Sequence, residues 1–442
     1  MPPPVTVSIL LSVLVLASAC HPVDQGDRHR RYSQRIRRSI ERSTGEPASA
    51  LQLPDPLDYA AIPQDPRNLL TAEKVALGRA LFHEAGLSIA TLDPARRGSV
   101  SCASCHAAGA GFRAGRIQGL GEGATKSDEL GEARLIDPTA DLRQVDAQGI
   151  RTPSVLAVAY QDVLHWNGQM GAAAPNEGTE SNWTPGTPKA VNELGYAGVE
   201  SQAIAGLGIH RMAVSEALID SLGYRAAFDG AFGSLPPDRR FSAEAAGLAI
   251  AAYERTLLPT ASPWQEWLRG DDDALTMTQL RGAGLFFGAA GCGGCHGGPA
   301  LSDGDFHILG MADLYAAEEP TVRASADMGV NLGRAGFTHR DVDLYAFKTP
   351  QLYNLADASH YGHGGSFDDL ASIVRYKVEG ATEHPRVGPQ HLDPEHGTSP
   401  LSETELGALV AFLSEGLRDP DLDRYVPTAD AMRRDEALAL ER

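Results

Sequence analysis

The sequence predicts an all-α protein with long irregular loops. Apolar residues recur at helical spacing in several segments, and stretches rich in proline and glycine separate these segments. No series of alternating apolar and polar residues indicates a β-sheet. The longest separators are residues 171–198 and 379–400. The predicted helices cover residues 71–82, 200–221, 242–257, 278–288, 368–378 and 402–416.

Composition narrows the class of partner. The 442 residues include 47 glycines, 28 prolines and five cysteines, and the formal net charge is −19. Nucleic-acid binding relies on lysine and arginine surfaces that neutralise phosphates, so this charge excludes nucleic acid as the main partner. An acidic surface favours basic protein partners instead. Five cysteines are too few for a disulfide scaffold in a chain of this length.

The N-terminal residues have the pattern of an export signal. Residues 5–19 are apolar, are too few for a membrane span, and end in small residues before Cys20. We therefore expect a signal peptide over residues 1–20. The sequence around Cys20 is similar to a lipoprotein cleavage site, which predicts a lipid anchor on this cysteine. Ordinary signal cleavage without lipidation is the alternative.

An arginine-rich stretch follows the signal. Seven arginines lie between positions 28 and 42. Because this composition buries little surface, the sequence predicts a flexible tether over residues 21–58. Attraction of the arginines to anionic lipid headgroups is the functional alternative to a plain solvated spacer.

One internal repeat organises the rest of the chain. A Leu-Phe pair precedes each of two Cys-x-x-Cys-His motifs, and a basic residue followed by Thr-Pro comes after each. The repeat predicts two related domains, which we place at residues 59–270 and 271–442. The motifs are Cys102-Ala103-Ser104-Cys105-His106 and Cys292-Gly293-Gly294-Cys295-His296.

Each motif predicts a covalently bound haem c. Two thiols separated by two residues form thioethers at one edge of the porphyrin, and the adjacent histidine lies beneath the iron. Structural zinc is the alternative, but the two cysteine pairs lie 190 residues apart and each has its own histidine. We therefore assign His106 and His296 as the axial ligands of two haems, with thioether bonds to Cys102, Cys105, Cys292 and Cys295.

The chain resembles the bacterial di-haem cytochrome c peroxidases and the related di-haem oxidases of the MauG type over about residues 60–420. The resemblance implies two cytochrome-c-like domains packed face to face, often with a Ca²⁺ ion at the domain interface. It also implies a periplasmic enzyme that reduces hydrogen peroxide at the N-terminal haem with electrons from the C-terminal haem. The stretches that carry it include Gly78 to Phe82, Ser101 to His106, Arg151 to Pro153, Arg281 to His296 and Phe347 to Gly365.

The far side of the first iron departs from the family's pattern. Typical peroxidases of the family carry a histidine in the loop soon after the first motif, and this histidine caps the resting iron. No histidine lies between His106 and His165 in this sequence. We therefore expect the first haem to be open at rest, as in the MauG type.

The family's distal acid–base residue is also missing. The family uses a glutamate, placed shortly after a glutamine, to move a proton between the two peroxide oxygens. The corresponding stretch, from Gln202 to Met212, has no glutamate. We expect His210 or Arg211 to take its place in peroxide cleavage. Ligation of the iron by His210 is the alternative.

The second iron lacks the usual methionine ligand. In the family this ligand lies fourteen residues after the histidine of a Tyr-x-His-x-Gly motif, here His363, which leads to Lys377 with Tyr376 before it. No methionine lies between positions 328 and 432. We expect Lys377 or Tyr376 to bind the iron, and packing of both residues is the alternative. His363 is expected to orient a haem propionate or a water.

Trp166 matches the family's Trp-Asp-Gly motif at the haem–haem interface. The resemblance implies that its indole relays electrons, and simple core packing is the alternative. The electron donor would be a small c-type cytochrome or a cupredoxin. Two other functions stay open: peroxide-dependent oxidation of a partner protein's tryptophan or tyrosine, and electron transport without catalysis. Dimers are common in the family, which leaves a homodimer open as well.

Overall fold

A computed structural model describes residues 25–126, 129–397 and 400–428. Within these ranges, no helix has both the length and the apolar character that crossing a membrane requires. The predicted signal peptide and Cys20 lie outside the described residues. The helices are α1 (Gln25–Thr44), α2 (Ala72–His83), α3 (Gly198–Ile209), α4 (Glu216–Leu222), α5 (Arg225–Phe232), α6 (Pro237–Arg240), α7 (Ala243–Arg255), α8 (Pro263–Leu268), α9 (Met277–Phe286), α10 (Ala335–Thr338), α11 (Leu370–Glu379) and α12 (Glu403–Ala411).

The structure confirms a helical fold with few strands. Strands β1 (Phe306–His307) and β2 (Phe347–Lys348) pair antiparallel and form the one sheet found in the described ranges. The helix predicted over residues 200–221 is wrong in its middle, because six residues separate the end of α3 from the start of α4. Arg211 lies in this break with a φ of 57°, a left-handed conformation that a right-handed helix cannot continue.

The two halves of the chain repeat one packing device. Gly78 in α2 lies so close to α7 that a Cβ atom there would overlap the carbonyl oxygen of Ala249. Gly282 in α9 meets α12 in the same way, where a Cβ atom would overlap the carbonyl oxygen of Ala408. Only glycine permits such close approach of two helix backbones. The sequence repeat therefore corresponds to a repeated pair of crossed helices.

A phenylalanine four residues after each of these glycines lies near the histidine of the Cys-x-x-Cys-His motif. The Phe82 ring lies 6.4 Å from the His106 ring, measured between centroids, and the Phe286 ring lies 6.3 Å from the His296 ring. Each motif therefore has the same position relative to its helix pair. The division at residues 270 and 271 itself stays a prediction.

The flexible tether predicted for residues 21–58 is wrong from residue 25 onward. Residues 25–44 form α1, which packs on α9 and on the end of α8, with Ile36 and Ile40 buried. The Trp267 indole donates a hydrogen bond to Ser33 Oγ at 3.0 Å, and Arg37 donates to the Trp267 carbonyl at 2.8 Å. The arginine-rich composition concealed this helix, because its few apolar residues all lie on one face.

Each end of the described chain packs against the opposite half of the protein. Arg79 of α2 donates hydrogen bonds to the carbonyls of Arg424, Tyr425 and Val426. The residues after α12 therefore pack against the first half, whereas α1 packs against the second. These crossed ends tie together the two helix pairs that flank the motifs.

Candidate active site

The two Cys-x-x-Cys-His motifs line one shared cavity. Cys105 and His106 come from the first motif, and the two cysteines and His296 come from the second. Cys102 lines a small adjoining cavity that Cys105 and His106 also border. None of the four motif cysteines takes part in a disulfide with another described residue. A short 3-10 turn begins at the first cysteine of each pair, over Cys102–Ser104 and Cys292–Gly294, and the second cysteine follows the turn.

Both motif histidines are held in the tautomer that a haem ligand needs. His106 donates from Nδ1 to the Phe112 carbonyl at 3.2 Å, and His296 donates from Nδ1 to the Leu301 carbonyl at 2.8 Å. Each Nε2 therefore keeps its lone pair for a metal. Burial lowers the pKa of each imidazole to about 4, which keeps both rings neutral.

Three buried cations in the cavity indicate an anionic occupant. Arg113, Arg151 and Lys348 line the cavity, and none has a carboxylate within ion-pair distance among the described residues. Burial lowers the pKa of Arg113 to about 10, that of Arg151 to about 9 and that of Lys348 to about 8. Buried charges without a counter-ion are costly, and the propionates of a haem would supply one.

The residues present therefore fit two haem c groups. Zinc fits less well, because the cysteines of the two motifs do not converge. In the part of the chain that the structure describes, the one group that could hold a metal ion comprises Cys295, Asp303 and His307. Cys295 belongs to the second motif, and His307 lies between Asp303 and Asp393, with its ring nitrogens 3.0 and 2.7 Å from their oxygens. The Ca²⁺ ion at the domain interface stays a prediction.

His210 borders the cavity close to the first motif, together with Gln202 of α3. His210 follows α3 and donates from Nδ1 to Asp146 Oδ2 at 2.8 Å, and the Asp146 side chain is buried. Burial acts to lower the pKa of His210, but the charge and hydrogen bond of Asp146 raise it above its ordinary value. The bond to Asp146 leaves Nε2 as the free nitrogen.

Arg211 lies outside the cavity that His210 borders, so the geometry favours His210 of the two residues predicted for peroxide cleavage. Its guanidinium donates to Glu122 Oε2 at 2.5 Å and to the Gln144 carbonyl at 2.8 Å. It is absent from the cavity-lining residues that the structure describes. The left-handed backbone at Arg211 turns its side chain away from that of His210.

Two residues near the first motif carried no prediction from the sequence. His165 lines the cavity, and the Gln169 amide donates to its Nδ1 at 3.1 Å, which leaves the proton on Nε2. Its position beside Trp166 was the signal that could have identified it. Asp146 lies in a loop far from α3 in sequence, and nothing in its neighbours marks it.

The structure separates the two candidates for the second iron. Lys377 lines the shared cavity with Cys292, Cys295 and His296, and its side-chain amine has no hydrogen-bond or ion-pair partner within the described ranges. Tyr376 lies outside the cavity lining that the structure describes, and its hydroxyl donates to the Leu309 carbonyl at 2.6 Å. Tyr376 therefore does not offer its oxygen to the cavity.

Met311 is a further cavity residue that the sequence prediction missed. The segment between positions 328 and 432, where the family's ligand is expected, has no methionine, whereas Met311 precedes that segment and lines the cavity. It lies beside the Tyr-x-His-x-Gly motif, because a Cβ atom on Gly362 would be 3.2 Å from its sulfur. Met311 is thus a second donor to consider beside Lys377.

Trp166 and His363 meet in the cavity wall. The Trp166 indole donates to the Arg151 carbonyl at 2.8 Å, and its ring lies edge-on to the His363 ring at 6.3 Å between centroids. The His363 ring stacks on Phe347 at 3.6 Å and donates from Nε2 to Asp313 at 3.1 Å. His363 Nδ1 is buried without a partner in the described part of the chain. Because Nε2 carries the proton of this neutral ring, Nδ1 is an acceptor, to which a water can donate and a propionate carboxylate cannot. The predicted role toward a propionate or water stays a prediction.

A family model and several relatives of known name are similar to this chain. A family model described as di-haem cytochrome c peroxidase matches residues 72–273. The methylamine utilization protein MauG of Methylorubrum extorquens is 29% identical over 362 residues, which are 81% of this chain and 82% of that protein. Cytochrome-c peroxidase IdrP1 of Pseudomonas sp. is 28% identical over 346 residues, which are 74% of this chain and 76% of that protein.

Solved structures show the same fold. A MauG-like protein associated with microbial copper homeostasis superposes with a TM-score of 0.58 at 24% identity, covering 84% of this chain and 95% of the other. The di-haem peroxidase BthA of Burkholderia thailandensis gives a TM-score of 0.50 at 21% identity, covering 85% of this chain and 91% of the other. Residues 72–273 thus match the di-haem cytochrome c peroxidase family, and the chain is similar over most of its length to MauG proteins and to cytochrome-c peroxidases; it is a peroxide-acting oxidoreductase.

Proposed function

We propose that this protein is exported to the periplasm and reduces hydrogen peroxide to two waters near the first motif, using two protons and two electrons that enter near the second. The observation that carries this proposal is the single cavity that both motifs line, with the His210–Asp146 pair at its first end. Haem c, when bound, supplies an iron at which peroxide is reduced and one-electron redox chemistry. Thioether bonds to the four motif cysteines would hold it.

His210 is the acid–base residue of this proposal. Peroxide cleavage requires a proton to move from the inner to the outer oxygen, so that water can leave. Because Asp146 accepts the Nδ1 proton, Nε2 is the atom that can take and return the peroxide proton. Asp146 acts as a positioning residue, since it fixes the tautomer and orientation of His210. Gln202 lines the same end of the cavity and can hydrogen-bond a bound oxygen.

Electrons would reach this end through Trp166. The indole lies in the wall of the cavity that both motifs share, and it contacts the His363 ring edge-on. At the second motif, Lys377 is the proposed sixth ligand, because this half-buried side chain lines the cavity and its amine is unpaired in the described chain. A nitrogen donor would favour ferric iron more than a thioether does. A small basic c-type cytochrome or a cupredoxin is the proposed donor, given the acidic net charge of −19.

Oxidation of a partner protein's tryptophan or tyrosine is the second candidate function. The absence of a histidine from residues 107–164 favours it, because the first haem site then needs no reductive opening. The similarity to MauG over most of the chain supports the same alternative. Electron transport without catalysis conflicts with the relatives named as peroxidases. A homodimer stays a prediction.

Peroxide-dependent oxidation of a reduced small cytochrome c by the holoprotein tests the leading proposal. We expect multiple turnovers in the wild type and a loss of about a hundredfold or more in the His210→Ala variant. His391 is exposed and lies outside the cavity, so His391→Ala is the matched control. Turnover of the cytochrome that is equal in both variants would overturn the role of His210. A fast reaction with peroxide but no turnover of any small donor would favour the partner-oxidising function.

A further inference from the structure

Helix α1 carries two opposite faces. Ser33, Ile36 and Ile40 are buried, and they lie along one side of the helix. The arginines at positions 31, 35, 38 and 42 follow the spacing i, i+4, i+7 and i+11, which places them in a row on the other side. All four of these arginines are exposed. The helix therefore presents a continuous basic row to solvent.

The apolar face of α1 is already used within the protein. Ile36 and Ile40 are 2% and 0% exposed, and Arg37 lies over the Trp267 ring at 4.1 Å. Arg37 also pairs with Asp272 at 3.4 Å. The helix cannot insert these residues into a bilayer while it stays packed on α9. Any partner of α1 must therefore recognise charge on the outer face.

Three arginines of the outer row have no counter-charge among the residues that the structure describes. Arg35, Arg38 and Arg42 have no carboxylate within ion-pair distance among the described residues. Arg38 and Arg42 donate only to backbone carbonyls one helical turn earlier, at 3.3 and 3.1 Å. Asp27 and Glu41 are the only acidic residues in the sequence of α1. A basic row of this kind in a chain with a net charge of −19 is a segregated charge that an anionic partner would neutralise.

We propose that the basic face of α1 binds the anionic headgroups of a membrane surface. Charge complementarity supports a lipid surface, because each arginine near anionic headgroups strengthens binding. The position of the helix supports it too, since α1 begins five residues after Cys20 and soon after the apolar run of residues 5–19. Five residues span at most about 18 Å, so an acyl chain on Cys20 would hold α1 against the bilayer. This inference is independent of the proposed peroxide chemistry.

Vesicle sedimentation of the holoprotein that lacks the apolar signal residues 1–19 tests this proposal. The Cys20→Ser substitution is introduced throughout, so that no acyl chain contributes to binding. We expect binding to vesicles of equal phosphatidylglycerol and phosphatidylcholine at low salt, loss of that binding at high salt, and none to phosphatidylcholine alone. The Arg35→Gln/Arg38→Gln/Arg42→Gln variant should bind about a hundredfold more weakly. Its Soret spectrum should match the wild type.

A matched control separates the helix from the net charge. Arg143, Arg239 and Arg340 are exposed and lie in other elements, so changing all three to glutamine alters the charge equally. Binding lost in the α1 variant and kept in this control supports the proposal. The Arg35→Lys/Arg38→Lys/Arg42→Lys variant keeps the positive charges and should bind anionic vesicles like the wild type. This comparison holds even if the glutamine variant is unstable. Equal binding of both glutamine variants, or no preference for anionic vesicles, would overturn the proposal that α1 binds lipid headgroups. An acidic protein would then be the partner to test.

Discussion

His210 and Asp146 form an imidazole–carboxylate pair, with 2.8 Å between His210 Nδ1 and Asp146 Oδ2. Asp146 is 4% exposed, so water does not compete for its carboxylate. The pair lies where the chain leaves α3 and turns at Arg211. This turn directs the imidazole to the cavity and the guanidinium of Arg211 to Glu122. Of these two neighbouring residues, His210 is the one that lines the cavity, which is why we propose it as the acid–base residue.

The Asp146→Asn variant should change the pH dependence of peroxide reduction. Asp146 raises the pKa of His210 against the opposing effect of burial, and only the neutral imidazole can accept a proton. Wild-type kcat/KM should therefore fall at low pH, through a pKa above the ordinary value for histidine. Removing the carboxylate charge lowers that pKa, so this acidic limb should move to lower pH in the variant.

The pH profile of kcat/KM measures this shift. Asp141 lies in the same loop, is paired with Arg143 and is outside the cavity, so Asp141→Asn is the control. Its profile should match the wild type. An acidic limb at the same pH in Asp146→Asn would show that His210 does not titrate in this profile.

Lys377→Ala should alter the low-spin electron spin resonance signal of the second haem. The Lys377 side chain lines the cavity, whereas the Tyr376 hydroxyl is bound to the Leu309 carbonyl. Tyr376→Phe should therefore leave the signal unchanged. Met311→Leu tests the competing thioether donor in the same cavity. A signal that changes in Met311→Leu and not in Lys377→Ala would identify Met311, not Lys377, as the ligand of the second iron.

Gly78→Ala and Gly282→Ala should each destabilise the protein by about 2–3 kcal/mol. In both variants the new methyl group overlaps a backbone carbonyl on the facing helix, so the crossed helices must separate. Gly407 in α12 has open space around it, and Gly407→Ala should instead stabilise by about 0.5–1 kcal/mol. The midpoint of denaturant unfolding of the holoprotein measures each change. Equal midpoints for Gly78→Ala and Gly407→Ala would contradict the close helix approach.

Trp166→Phe should slow oxidation of the donor cytochrome at least about tenfold, because phenylalanine is much harder to oxidise than the indole that would carry the electron. The first reaction with peroxide should keep its wild-type rate, since Trp166 is hydrogen-bonded to Arg151 and not to His210. Trp183 donates to Thr179 and lies outside the cavity, which makes Trp183→Phe the control. Unchanged donor turnover in Trp166→Phe would limit Trp166 to a packing role.

The haem-binding residues could be predicted from the sequence because the chemistry is local. Two thiols and a histidine within five positions require no long-range folding to meet one porphyrin edge. The helices α2, α7, α9 and α11 were predictable for a similar reason, since each shows its apolar spacing within one segment. Helix α1 was not predicted, because a flexible tether and a basic helix packed on the protein can have the same arginine-rich composition.

The distal residues depended on long-range contacts and backbone turns. The preference for His210 over Arg211 at the cavity depends on the left-handed φ at Arg211. No pattern in the sequence predicts this backbone conformation. Asp146 lies 64 positions before His210, and Met311 lies 66 positions before Lys377. Only the folded chain brings such residues to one cavity.

The most direct test follows the Soret absorbance of the diferric holoprotein after one equivalent of hydrogen peroxide, in the wild type and in His210→Ala. We predict a fast shift in the wild type without prior reduction, because no histidine between His106 and His165 caps the first site. We predict a shift that is about a hundredfold slower or more in His210→Ala. Equal rates in the two proteins, or a wild-type shift that requires reduction of the second haem, would contradict peroxide activation by His210 at an open first site.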